Sequence, residues 1–142
     1  MSETILQQLK HTLSPLIDAR GFQIVEEHYN PNAFGNAVLR LRSTDFAVRV
    51  VRDRGAIFVD IGPAQNIDEW HDLKIVLEFL GHGSTDTSAF DPDQVATTLN
   101  ANYESLKNFF SKENYPTVSN QLEEFERKKT KERLPGLNLP NP

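Results

Sequence analysis

The stretch AVLRLRSTDFAVRVVRDRGAIFVDIG, residues 37–62, decides the fold. Its apolar residues recur every second position, the period of a strand buried on one face. Leu39 and Leu41 oppose Val38, Arg40 and Arg42. Phe46, Val48 and Val50 oppose Ala47, Arg49 and Val51. Ile57, Val59 and Ile61 oppose Phe58 and Asp60. Ser43-Thr44 makes a tight connection. Asp53-Arg54-Gly55 predicts a short hairpin loop, with Gly55 in the left-handed conformation that ends a bulged turn. Loops this short force antiparallel neighbours, because a parallel return needs a crossover of about a dozen residues. Residues 37–62 therefore read as three strands of a meander, closed by Gly62-Pro63.

Upstream, Phe22–Tyr29 is rich in β-branched and aromatic residues and is stopped by Asn30-Pro31-Asn32, predicting a fourth strand. Its register stays open: Phe22 and Ile24 favour one face, Val25 and Tyr29 the other. Before it, Ile5, Leu6, Leu9, Leu13, Leu16 and Ile17 form a helical stripe. Ser2 is the expected N-cap and Gly21 the C-terminal cap. Pro15 predicts a break near Thr12–Ser14.

Downstream the pattern turns helical. Asn66 and Glu69 have capping-box spacing, so a helix is expected to carry Trp70, Leu73, Val76, Leu77 and Leu80 and to end at Gly81. A polar loop, Gly81–Ser88, follows. Asp91-Pro92 opens the next helix, which Val95, Leu99, Tyr103, Leu106 and Phe110 continue. Asn114-Tyr115-Pro116 predicts a break, and a last helix is expected from Thr117 to Arg133. Val118, Leu122 and Phe125 anchor its start, while its charged second half has nothing to bury. The expected fold is α+β: an N-terminal helix, a four-stranded antiparallel meander sheet and three C-terminal helices packed mainly on the Leu/Val/Ile face. Residues 1–134 form one domain, and 135–142 a flexible C-terminal tail.

Composition removes several functions. Among 142 residues there is no cysteine, which excludes disulfides, thiolate metal sites and a cysteine nucleophile. The four histidines, His11, His28, His71 and His82, show no zinc-ligand spacing, so no metal or other cofactor is expected. Ser84 of Gly81-His82-Gly83-Ser84 is not framed as a nucleophile elbow, and no glycine-rich phosphate cradle is present. The net charge of −5 argues against nucleic acid as a partner. No apolar run has the length to span a membrane, and no leader precedes the first helix, so a cytoplasmic protein is expected. Acidity concentrates in residues 60–104, where Lys74 stands against nine carboxylates for a net −8. Such a block either steers a basic partner or caps helix N-termini.

The second face of the sheet is the feature most suggestive of function. Arg40, Arg42, Arg49, Val51, Phe58 and Asp60 share it, mixing apolar and aromatic groups with arginines as partner-binding patches do. Coverage by a C-terminal helix, or arginines paired across strands with Asp60 and Glu27, would explain the same residues without a partner. The expected function is a non-catalytic protein-binding module. In size and acidity it is of the type of small inhibitor or immunity proteins and secretion chaperones. The alternatives are a ligand-binding or enzymatic pocket between sheet and helices, using His28, Trp70 and His71, and a homodimer through the second sheet face.

Overall fold

The computed structural model describes residues 4–32, 36–66, 68–82 and 89–133. Helix α1 (Ile5–Thr12) begins at Thr4, whose hydroxyl accepts from Gln7 N while the Gln7 side chain accepts from Thr4 N. Thr4, not Ser2, is therefore the cap, because it alone stands three residues before a glutamine able to reciprocate. Pro15 breaks the stripe where expected. Helix α2 (Ser14–Ala19) starts afresh from Leu13 with the proline in its first turn, and Gly21 follows at φ +73°.

Strands β1 (Gln23–Asn30), β2 (Asn36–Arg42), β3 (Ala47–Asp53) and β4 (Ala56–Gly62) form the antiparallel meander. The β3–β4 loop is tighter than expected. Arg54 (φ +53°) and Gly55 (φ +85°) alone form it, a two-residue turn with both residues left-handed, which matches the twist of the strands. The apolar faces align in register: Leu41 opposite Val48 and Val48 opposite Ile61, Leu39 opposite Val50 and Val50 opposite Val59.

A fifth strand, β5 (His71–Asp72), pairs with Asp60 and Ile61. Here the expected helix start is corrected. Asn66 does close a local turn, accepting at its side chain from Asp68 N, but no helix grows from it. Glu69 and Trp70 carry no regular structure, His71 and Asp72 pair with β4, and only then does the chain enter α3 (Leu73–Phe79), capped by Asp72 Oδ1 accepting from Ile75 N.

Helix α4 (Pro92–Ala101) opens at Asp91-Pro92 as read from the sequence. The long helix expected beyond it is two: Asn102 interrupts, its side chain donating to Thr98 O, and α5 (Tyr103–Phe109) restarts. Helix α6 (Tyr115–Arg133) begins two residues early because Pro116 fits its first turn. Residues 83–88 and the tail 135–142 lie outside the described residues.

One core joins the helices to a single sheet face. Leu9, Leu13, Leu16, Val76, Leu99, Leu106 and Leu122 pack with Leu39, Leu41, Val48, Val50, Val59 and Ile61. Phe22, Phe46, Phe110 and Tyr103 form an aromatic centre, with Phe22 and Phe46 edge-to-face at 5.2 Å. Among the described residues no helix is long and apolar enough to cross a membrane.

Candidate functional site

The opposite face of the sheet carries two cross-strand rows. In one, Glu26, Arg40, Arg49, Asp60 and Asp72 follow one another from β1 to β5. In the other, His28, Val38, Val51 and Phe58 do so. Such rows are the unit of side-chain interaction on a sheet. Arg49 donates from Nε and Nη2 to Asp60 Oδ2, at 3.0 and 2.7 Å. Burial raises the Asp60 pKa above its ordinary value, with the Arg49 hydrogen bond and charge opposing that rise. Arg40 meets Glu26, with Nε 3.2 Å from Oε1, but that buried nitrogen has no aligned hydrogen bond.

Trp70 lies over this arginine pair, its ring 4.7 Å from the Arg49 guanidinium carbon and 5.9 Å from that of Arg40. Gly62 makes this possible. A Cβ there would stand 2.0 Å from the Glu69 carbonyl oxygen, so only glycine lets Glu69 and Trp70 lie against the end of β4. Beside Trp70, residues Val25, Glu26, Arg40, Leu41, Arg42 and Ala47 complete a pocket of about 250 Å³. A β-bulge between Ile24 and Glu26 brings Val25 and Glu26 to it together. That bulge also resolves the divided pattern of β1: Ile24 opposes Leu41 on the helix side, and Glu26 opposes Arg40 on the other.

The candidate residues therefore fall as follows. Arg40, Arg49 and Asp60 form one connected row, Val51 and Phe58 lie beside them, and Arg42 stands at the pocket rim. The ion-pair, hydrogen-bond and ring contacts of Arg40, Arg49 and Phe58 among the described residues include none to a C-terminal helix. Phe58 is 42% exposed. His28 shares the face but is exposed and does not line the pocket. His71 points away from Trp70, into the helix side. The trio His28, Trp70 and His71 is not brought together, and the pocket beside Trp70 lies across the sheet from the helices. Neither Val25 nor Glu26 is among the site residues that the sequence suggests. The interrupted alternation of FQIVEEHY was the signal for a bulge there.

His71 belongs to a separate, enclosed network. It is 5% exposed, with Nδ1 2.9 Å from Glu126 Oε1 and Nε2 2.7 Å from the Tyr115 hydroxyl. The Tyr115 hydroxyl donates in turn to Glu69 Oε1 at 2.8 Å. Burial, the Glu69 hydrogen bond and the surrounding carboxylates raise the Tyr115 pKa well above the usual phenol range. Carboxylate, imidazole and phenol in series are a proton-relay set. Here both central groups are shut in, so the set acts as a clasp between α6 and β5. Lys129 and Glu78 add a second tie from α6 to α3 at 2.6 Å. The second half of α6 is thus not idle, contrary to expectation. Its exposed pattern hid the two residues that dock it.

The acidic middle segment disperses into structural roles. Asp72 caps α3, Asp91 precedes α4, Asp93 and Glu104 occupy first turns, and Asp60, Glu69 and Glu78 have partners of their own. No protein-family model, curated protein or solved structure matches this chain.

Proposed function

We propose that this chain is a cytoplasmic protein-binding module, without catalytic activity of its own, whose partner docks on the sheet face opposite the helices. The observation that carries the reading is Phe58, exposed in a row with half-buried Val38 and Val51, next to arginines stacked under Trp70. A face serving water alone gains nothing from that aromatic, whereas interface centres are enriched in aromatic residues and arginine. The enclosure of His71 and Tyr115 supports the non-catalytic half of the proposal, since no substrate reaches a relay so buried.

Photo-crosslinking tests it. Benzoylphenylalanine placed at position 58, in cells that naturally make the protein, is expected to capture one protein species. The same group at Lys112, exposed between α5 and α6, is not. Adducts only to a second copy of this chain would replace the reading with a homodimer. No adduct at 58 above that at 112 would end it.

A further inference from the structure

We infer that the pocket beside Trp70 seats one acidic side chain, Asp or Glu, presented by the protein partner. This rests on the proposal that the sheet face is a partner surface, and it adds the chemistry that the partner must bring. Charge is the first argument. Asp60 compensates Arg49, and Glu26 approaches Arg40. The Arg42 side chain has no ion pair or hydrogen bond among the described residues. The pocket therefore holds one uncompensated positive charge in a chain whose net charge is −5. The buried Arg40 Nε already lies 3.2 Å from Glu26 Oε1, so the guanidinium left open to an incoming acceptor is that of exposed Arg42. A single carboxylate supplies the missing charge and matches the fork of the Arg42 guanidinium.

Size and lining decide what bears that carboxylate. Pockets for drug-sized ligands run from about 300 to 1,000 Å³. At about 250 Å³ this one falls below that range, with room for an inserted side chain but not for a drug-sized molecule. Val25, Ala47 and Trp70 give it apolar walls against which the methylenes of an acidic side chain pack.

Trp70 is the sole tryptophan, so its emission reports on the pocket directly. The probes are the capped tripeptides acetyl-Gly-Glu-Gly-amide and acetyl-Gly-Gln-Gly-amide, titrated at constant ionic strength. The Glu peptide is expected to shift Trp70 emission saturably, with a Kd on the order of millimolar. The Gln peptide, and the Glu peptide against Arg42→Gln, are each expected to bind about fivefold or more weakly, the weight of one accessible guanidinium–carboxylate pair. Arg42 is exposed, so the variant folds; its unfolding curve in urea checks this. No saturable shift, or equal binding of the Gln peptide, overturns the assignment. Acetate binding as well as the Glu peptide also overturns it, in favour of a bare-anion site. Crosslinking at position 58 reads the docking face independently: adducts there with a failed titration remove the pocket's role and leave the face, while the converse leaves an anion pocket without a docking surface.

Discussion

Gly62 supports the candidate site from beneath, and it does so by lacking a side chain. The Glu69 carbonyl occupies the space a Cβ would need, and both parties are backbone, so neither yields cheaply. Gly62→Ala is expected to cost about 2–3 kcal/mol, the upper range for overpacking. It should also change Trp70 emission, because the Glu69–Trp70 backbone must lift. Urea unfolding followed by fluorescence measures both, and an alanine variant of unchanged stability would refute the close approach. The sequence placed a strand end at Gly62-Pro63 but could not show this contact, since the carbonyl above it belongs to a segment read as helical. Residues acting on their own neighbours were legible: Pro15, Gly81 and the Asp91-Pro92 pair behave as local rules require. Arg54 was not. Its φ of +53° follows from the twist of the two strands it joins, and nothing in an arginine announces it.

At the scale of elements, particular helices are tied to the sheet and its connections by polar contacts. Tyr103, at the start of α5, donates its hydroxyl to Asp45 in the β2–β3 connection at 2.5 Å, with Arg20 4.1 Å above its ring. Burial first, and Asp45 second, push this phenol up to about 12 from its ordinary value of 10. The folded state therefore holds the proton more tightly than the unfolded chain does. The resulting stabilisation is complete below pH 10 and is lost as pH rises through about 12. Urea midpoints measured across that window should fall, and fall less steeply in Tyr103→Phe. Tyr115, shifted in the same direction, keeps part of the slope in the variant. A slope unaffected by the substitution would detach Tyr103 from alkaline unfolding. The sequence showed Tyr103 only as one more apolar position on a helix. Asp45 lies 58 residues away, beyond any local pattern.

The whole molecule is a two-layer arrangement in which one sheet serves two purposes. Its helix-facing side is sealed: Phe46 is fully buried within the aromatic centre, and Phe46→Ala is expected to cost about 3–5 kcal/mol. Its other side is open at Phe58, where Phe58→Ser should stay within about 0.5 kcal/mol of the parent. Denaturant unfolding of the two variants side by side tests the division. A large cost at Phe58 would mean that the residue serves folding rather than recognition. The antiparallel order and the assignment of strand faces followed from residues 37–62, the helical half of the α+β class from the stripes on either side, and the register agrees with the strand faces pair by pair.

The sequence by itself determined which side of each central strand is apolar, because strand alternation has a period of two and the connecting turns are too short to permit another pairing. It determined the breaks at Pro15 and Gly81, which rest on equally local rules. Tertiary structure alone decided the rest. Residues 66–72 carry a helix-start signal, yet pairing with β4 drew His71 and Asp72 into a fifth strand and sent Trp70 to the far side. His71 found its partners 44 and 55 residues along the chain. Such contacts depend on where α6 docks, and docking is settled by buried groups whose spacing in sequence carries no period.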